Sequence, residues 1–134
     1  MSSTEEDPVS LLFRIGLGPW LTPLREKVPM LDAWPTQPEV DEATVRMWLS
    51  HGLNVGFRTG SVSGLVVIDD DQKKKHASGY TMPPTGLVAE TPTGGRHGFY
   101  RAPTTPIRNS ASRLAPYVDT RGDGGQVVVA PSIH

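Results

Sequence analysis

Residues 64–71 read GLVVIDDD, an apolar run that ends in three consecutive aspartates. The unbroken run Leu65–Ile68 predicts a β-strand whose centre is buried on both faces. Because strand side chains alternate between faces, we expect Asp69 and Asp71 to point to one side and Asp70 to the other. The sequence therefore predicts a central strand that ends in two converging carboxylates.

Composition limits the class of protein. The length of 134 residues suits one domain, and the 14 glycines and 13 prolines predict a folded chain with many tight turns. No cysteine is present, which excludes disulfides, thiolate zinc sites and cysteine nucleophiles. A formal net charge of −1 provides no overall attraction to nucleic acid. Without a signal peptide or a long apolar run, a cytoplasmic location and no membrane partner are the expectation.

The chain as a whole reads as many short strands with few helices. Residues 1–9 are expected to be disordered, and residues 10–52 to form a small αβ unit in which Asp41 caps a helix. Residues 53–134 predict short strands separated by Gly and Pro. The polar segment 103–116 interrupts them and is expected to hold one helical turn at most. This pattern predicts a sheet-centred α/β or α+β domain.

The aspartates at the end of the central strand are candidate metal ligands. Mg²⁺ and Mn²⁺ take hard oxygen ligands, which converging carboxylates can supply. An acidic turn that simply ends the strand is the alternative, since short motifs often match by chance. The run Lys73–Lys75 is interpreted as a solvated face that relieves the negative charge, with a phosphate or template contact as the alternative.

A glycine pair precedes the next polar cluster, in the segment TPTGGRHGFYR. Gly94 and Gly95 allow close backbone approach, so a triphosphate could lie against this turn. Arg96 or His97 could then donate hydrogen bonds to its oxygens. The alternatives are a simple hairpin turn and a structural histidine.

A third polar cluster lies in the segment VDTRGDGGQVVVAPSIH. Asp119 and Arg121 would share a face if this segment is a strand, and residues 123–125 would form a turn. Asp119 could supply another carboxylate to a metal, and Arg121 could pair with it or reach a phosphate. An ordinary hairpin with a surface ion pair is the alternative.

Taken together and in this order, these segments resemble the bifunctional primase–polymerase (prim-pol) domain of the archaeo-eukaryotic primase superfamily. The resemblance covers residues 21–134 and includes TPLREKVPMLDAW at 22–34 and NVGFRTGSVSG at 54–64. It implies an α+β fold, with an RRM-like antiparallel or mixed sheet, flanking helices and a small N-terminal αβ unit. Members of this family usually continue further, so the chain is expected to be cut from a longer protein.

The resemblance also implies residue roles. Asp69, Asp71 and Asp119 match the family's catalytic, metal-binding carboxylates. His97 matches the histidine that contacts the phosphates of the incoming nucleotide, and Arg121 matches the basic residue of the third motif. The further candidate nucleotide-binding residues are Arg96, Gly95 and Thr93.

The implied activity is transfer of a dNTP or NTP to a 3′-hydroxyl, with a primer on a single-stranded DNA template. The implied cofactors are two divalent ions, Mg²⁺ or Mn²⁺, about 3.5–4 Å apart. The implied setting is plasmid, phage or bacterial replication, with a helicase domain in the same longer chain. Two alternatives stay open: a metal-dependent nuclease or phosphoesterase, and a non-catalytic nucleotide- or nucleic-acid-binding module attached to a helicase.

Overall fold

A computed structural model gives the chain an α+β fold, with the described residues spanning 6–71, 80–91, 94–115 and 117–132. The helices are α1 (Pro8–Arg14) and α2 (Glu42–Ser50), with 3₁₀ turns at Gly18–Trp20 and Trp34–Thr36. None of the described helices has the length and apolar character that a membrane span needs. The strands are β1 (Leu21–Arg25), β2 (Val28–Pro29), β3 (Asn54–Arg58), β4 (Leu65–Asp70), β5 (Leu87–Glu90), β6 (Arg96–Arg101), β7 (Ser110–Ala115), β8 (Val118–Arg121) and β9 (Gln126–Val129).

The chain divides into two compact units, and the first comprises residues 1–58 and 127–134. Its sheet has the strand order β2-β1-β3-β9, in which β1 pairs antiparallel with β2 and β3. This unit extends past the predicted range of 10–52, because β3 and β9 join its sheet through pairings between distant segments. Helix α1 begins at Pro8, inside the stretch for which the sequence predicts disorder.

Helix α2 forms where the sequence predicts it. The Asp41 carboxylate accepts a hydrogen bond from the Thr44 backbone N–H at 2.9 Å, which satisfies one of the donors that a helix start leaves unpaired. Val45 on the inner face of the helix is fully buried. Gly52, with a φ of +79°, follows the end of the helix.

Arg58, the last residue of β3, is 1% exposed and lies among backbone carbonyl groups. Its guanidinium donates hydrogen bonds to the carbonyl oxygens of Trp20 at 3.1 Å, Trp34 at 3.2 Å, Gln37 at 2.6 Å and Pro38 at 3.2 Å. Burial lowers the pKa of Arg58 from its usual value. This one side chain therefore ties the irregular loop around residues 34–38 to the sheet of the first unit.

The second unit, residues 59–126, contains a sheet with the strand order β5-β6-β4-β8-β7. Strand β4 is central and pairs antiparallel with β6 on one side and β8 on the other. Val66, Val67 and Ile68 of β4 are all buried, which confirms the interpretation of the apolar run. The carboxylates at the end of this strand are thus attached to the best-supported backbone in the sheet.

Strand β7 corrects one expectation. It occupies Ser110–Ala115, where the sequence predicts one helical turn at most. Its backbone pairs with β8, although four consecutive residues, 111–114, are exposed. Because no face of β7 is buried, its sequence lacks the apolar alternation that identifies a strand.

Candidate functional site

Three neighbouring strands bring the candidate side chains into one row. Asp69 on β4 lies directly opposite His97 on β6 and Asp119 on β8. Residues directly opposed in antiparallel strands point to the same face, with Cα atoms about 4.5–5.5 Å apart. Alternation along β8 places Arg121 on that face as well. We call this row, formed by Asp69, His97, Asp119 and Arg121, the carboxylate face.

Asp69 has a buried oxygen that accepts no hydrogen bond. The side chain is 16% exposed, and its Oδ1 has no hydrogen-bond partner in the described part of the chain. Nε2 of His97 lies 3.4 Å from this oxygen without a hydrogen bond between them. Burial of an oxygen without a partner costs free energy, so Asp69 Oδ1 is the atom here that a cation would stabilise most.

Asp71 follows β4 and lies against Gly95. Its backbone N–H donates to the Tyr117 carbonyl at 2.8 Å, so the antiparallel pairing continues past the end of the strand. A Cβ atom on residue 95 would collide with Oδ1 of Asp71 and approach the Asp70 carbonyl oxygen to 2.9 Å. Glycine at position 95 is therefore explained by the close approach of the Asp71 carboxylate.

Thr91 holds the turn that leads into β6. Its backbone N–H donates to the Gly95 carbonyl at 2.9 Å, and its hydroxyl accepts from the Gly95 N–H at 2.9 Å. Gly94 has a φ of +90°, a conformation that favours glycine. The role of Thr91 was not predicted from the sequence, because its hydroxyl bonds a backbone N–H four residues on and not the two residues on that are usual for a hydroxyl in a turn. Thr93, a predicted nucleotide-binding residue, lies outside the described residues.

Asp119 is engaged by groups of the chain itself. Its Oδ1 accepts a hydrogen bond from the backbone N–H of Ser112 at 2.9 Å, and its Oδ2 forms an ion pair with Nη2 of Arg121 at 3.1 Å. The pairing of Asp119 with Arg121 is one of the two alternatives that the sequence left open. Ser112, on β7, is a contact that the sequence did not predict. Each oxygen of Asp119 thus has one partner, and its remaining lone pairs leave room for a further contact.

Arg96 and Asp70 lie on the opposite face of the sheet. They are directly opposed in the β4–β6 pair, with Nη2 of Arg96 3.7 Å from Oδ2 of Asp70. Asp70 is 3% exposed and shares this face with the apolar cluster of Ile68, Met82 and Val118. The predicted orientation of Asp70 away from Asp69 is confirmed. Arg96, a predicted nucleotide-binding residue, is separated by the sheet from His97.

The carboxylate face offers a hard cation suitable oxygens but not a closed cage. Within the described ranges, no three Asp, Glu, His or Cys side chains lie close enough together to hold a metal ion. The engagement of Asp119 by Arg121 and Ser112 provides a physical reason. The donors nevertheless fit Mg²⁺ or Mn²⁺, because they are carboxylates at adjoining positions and Oδ1 of Asp69 accepts no hydrogen bond from the part of the chain that the structure describes.

Comparison with known protein families gives a match over most of the chain. Residues 12–134 match a family model described as bifunctional DNA primase/polymerase, N-terminal. No curated protein matches the chain. The matched range contains strands β1 to β9 and all four residues of the carboxylate face.

Proposed function

The chain belongs to the bifunctional DNA primase/polymerase (Prim-Pol) family, and we propose that it transfers nucleotides to a 3′-hydroxyl with divalent metal ions at the carboxylate face. The observation that carries the metal proposal is Asp69. Its Oδ1 is buried and has no hydrogen-bond partner among the described residues, and its strand neighbours are Asp119 and His97. A divalent cation would satisfy this oxygen and would explain why the sheet tolerates it.

Each residue of the site has a separate proposed task. Asp69 and Asp71 hold the metal, and Asp119 joins them. When bound, Mg²⁺ or Mn²⁺ supplies positive charge that lowers the pKa of the attacking hydroxyl and neutralises the leaving pyrophosphate. His97 donates a hydrogen bond to the triphosphate. Arg121 donates to a phosphate, since its guanidinium has five N–H donors and its contact with Asp119 uses only Nη2.

The finer setting belongs to the same proposal. It includes an RRM-like core, two metal ions, a dNTP or NTP, a primer on a single-stranded DNA template, and a helicase in plasmid, phage or bacterial replication. Support comes from the antiparallel sheet of the second unit, whose central strand ends at the carboxylates. A side chain attached to a strand paired on both sides is well positioned, which a site that works by orientation and charge requires.

Calorimetric titration of dATP, with and without Mn²⁺, tests the proposal. The unaltered chain should bind dATP only with Mn²⁺, and Asp71→Asn should lose that binding. Asp70→Asn is the matched control, because it removes an adjacent charge on the opposite face of the sheet. It should retain metal-dependent binding.

Primer extension then separates nucleotide transfer from the alternatives. Longer strands with release of pyrophosphate support the proposal. Equal loss of binding in Asp71→Asn and Asp70→Asn would contradict the assignment of the metal ligands. If the chain shortens DNA in the presence of metal and without nucleotides, the activity is that of a nuclease and not of a transferase. Nucleotide binding that needs no metal would favour a non-catalytic module.

A further inference from the structure

The segment from Thr91 to Val118 has a strong bias of charge. It contains four arginines and no aspartate or glutamate, in a chain whose formal net charge is −1. Arg96 faces Asp70, but the other three form no ion pair within the described part of the chain. These exposed, unpaired cations are Arg101, Arg108 and Arg113.

Two of these arginines lie on or beside the outer strand of the sheet. Strand β7 is at the edge, and Arg113 lies within it, while Arg108 shortly precedes it. Exposed apolar groups accompany them: Leu114 is 48% exposed and Tyr117 is 47% exposed. We call these four exposed side chains on or beside the edge strand, Arg108, Arg113, Leu114 and Tyr117, the β7 ribbon.

The edge of β7 is poorly suited to pairing with another strand. Its register with β8 shifts between Ser110 and Ala115, and Ser112 has a φ of +55°. Such irregularities, together with charged side chains, are the usual protection of an edge against strand addition. The exposed features that remain are positive charge and an aromatic ring, the combination that binds single-stranded nucleic acid.

The β7 ribbon is bound directly to the strand that carries Asp119. The Ser112 N–H donates to the Asp119 carboxylate at 2.9 Å, and the Asp123 N–H donates to the Ile107 carbonyl at 2.7 Å. The middle of the ribbon segment is therefore held against β8, and the residue before it is held against a residue that follows β8. A strand of nucleic acid on this ribbon would lie beside the carboxylate face.

We propose that the β7 ribbon binds single-stranded DNA next to the carboxylate face. Arg108 and Arg113 pair with phosphates, and the ring of Tyr117 stacks on a base. The inference rests on the proposed function and adds to it a binding location for the DNA beside the carboxylate face. Binding to the ribbon itself requires neither metal nor nucleotide.

Fluorescence anisotropy of a fluorescein-labelled oligo(dT), measured in EDTA over a series of NaCl concentrations, tests the proposal. The double variant Arg108→Ala/Arg113→Ala should bind at least about tenfold more weakly, and its slope of log affinity against log salt should fall by about 0.7 for each lost phosphate contact. The matched control is Arg25→Ala/Arg101→Ala, which removes the same charge from two exposed arginines that are not part of β7 and form no ion pair with the described residues. It should bind like the unaltered chain.

The stacking contact has its own test. Tyr117→Ala should weaken oligo(dT) binding by about fivefold to a hundredfold, the range for loss of one base–aromatic contact. Tyr117→Phe should restore it, because the ring and not the hydroxyl stacks. Circular dichroism shows whether each variant is folded before binding is compared.

The proposal for the β7 ribbon and the proposed function are contradicted by different experimental results. If the chain binds oligo(dT) in EDTA, with the losses above, but shows no metal-dependent dATP binding, the proposed function fails and the ribbon stands. If dATP binds with Mn²⁺ while a folded Arg108→Ala/Arg113→Ala binds oligo(dT) normally, the ribbon fails alone. Equal weakening in the Arg25→Ala/Arg101→Ala control would also overturn it, since binding would then follow net charge.

Discussion

Arg58 is a buried charged residue and Asp69 has one buried oxygen, but their surroundings differ. Arg58 donates to four backbone carbonyls, and one of those hydrogen bonds is only 2.6 Å long. Asp69 has a buried oxygen that accepts no hydrogen bond from the described residues. Since a buried charge is costly unless it is satisfied, the first arrangement stabilises the fold and the second reduces its stability. If the proposed function is correct, Arg58 is a charge that stabilises the fold and Asp69 is one that binds a ligand.

The largest expected effect is on Asp69. Asp69→Asn should lower primer extension by at least about a hundredfold, because it removes charge that the transfer step requires. In EDTA the melting temperature of Asp69→Asn should equal or exceed that of the unaltered chain, because the substitution removes the unsatisfied charge of the carboxylate. Glu39→Gln, at an exposed position, is the control and should change neither quantity. A clear drop in the melting temperature of Asp69→Asn in EDTA would show that the carboxylate is satisfied, and the contrast with Arg58 would fail.

Arg58 should show the reverse pattern, with a loss of stability. Arg58→Met should lower the free energy of unfolding by about 3 kcal/mol or more, because four partly buried hydrogen bonds from a charged donor are lost together. Arg58→Lys keeps a charge but not the fork of donors, so its loss should be smaller. Urea unfolding measures both variants. Arg25→Met, at an exposed position, should stay within about 0.5 kcal/mol of the unaltered chain.

A smaller effect should follow from the packing beneath Asp71. In Gly95→Ala the added methyl group would displace the Asp71 carboxylate, so Mn²⁺ affinity should fall by about tenfold, as for residues that orient a metal ligand. Gly86→Ala is the matched control, because a Cβ there meets nothing within 4 Å. Titration with Mn²⁺, followed by calorimetry, compares the two. Similar Mn²⁺ affinities in Gly95→Ala and Gly86→Ala would mean that the Asp71 carboxylate can move without weakening metal binding.

The smallest effect concerns an exposed charge that is fully hydrogen-bonded. Hydrogen bonds from Thr44 lower the pKa of Asp41 in the folded chain. A carboxyl group whose folded pKa is lowered stabilises the fold above its unfolded pKa, and this contribution is lost as the pH falls through the folded pKa. Asp41→Asn retains a capping oxygen without the charge, so urea unfolding should depend less on pH in the acidic range. If the unfolding free energy of Asp41→Asn depends on pH as in the unaltered chain, the lowered pKa of Asp41 does not cause that dependence.

Local patterns in the sequence predicted the centre of the second unit correctly. The apolar run defined β4, and alternation alone placed Asp69 and Asp70 on opposite faces. The same rule could have separated Arg96 from His97, since they are neighbours on one strand. That signal was present in the sequence, although the sequence analysis left both residues as alternatives for one ligand.

Contacts between distant segments could not be predicted from local sequence patterns. Strand β7 has no buried face, so nothing in its sequence marks it as a strand. The hydrogen bonds of Arg58 reach carbonyls in an irregular loop, and a carbonyl is present at every residue whatever its side chain. The hydrogen bond from Ser112 to Asp119 likewise comes from backbone. Interactions of this kind depend on the path of the chain and not on residue type.

The position of β4 between β6 and β8 also determines when the carboxylate face can form during folding. Asp69, His97 and Asp119 come from strands separated by long stretches of chain, so they meet only after large loops have closed. Contacts made that late contribute little to the folding transition state. A divalent ion that stabilises the native chain should therefore slow unfolding and leave the rate of folding nearly constant.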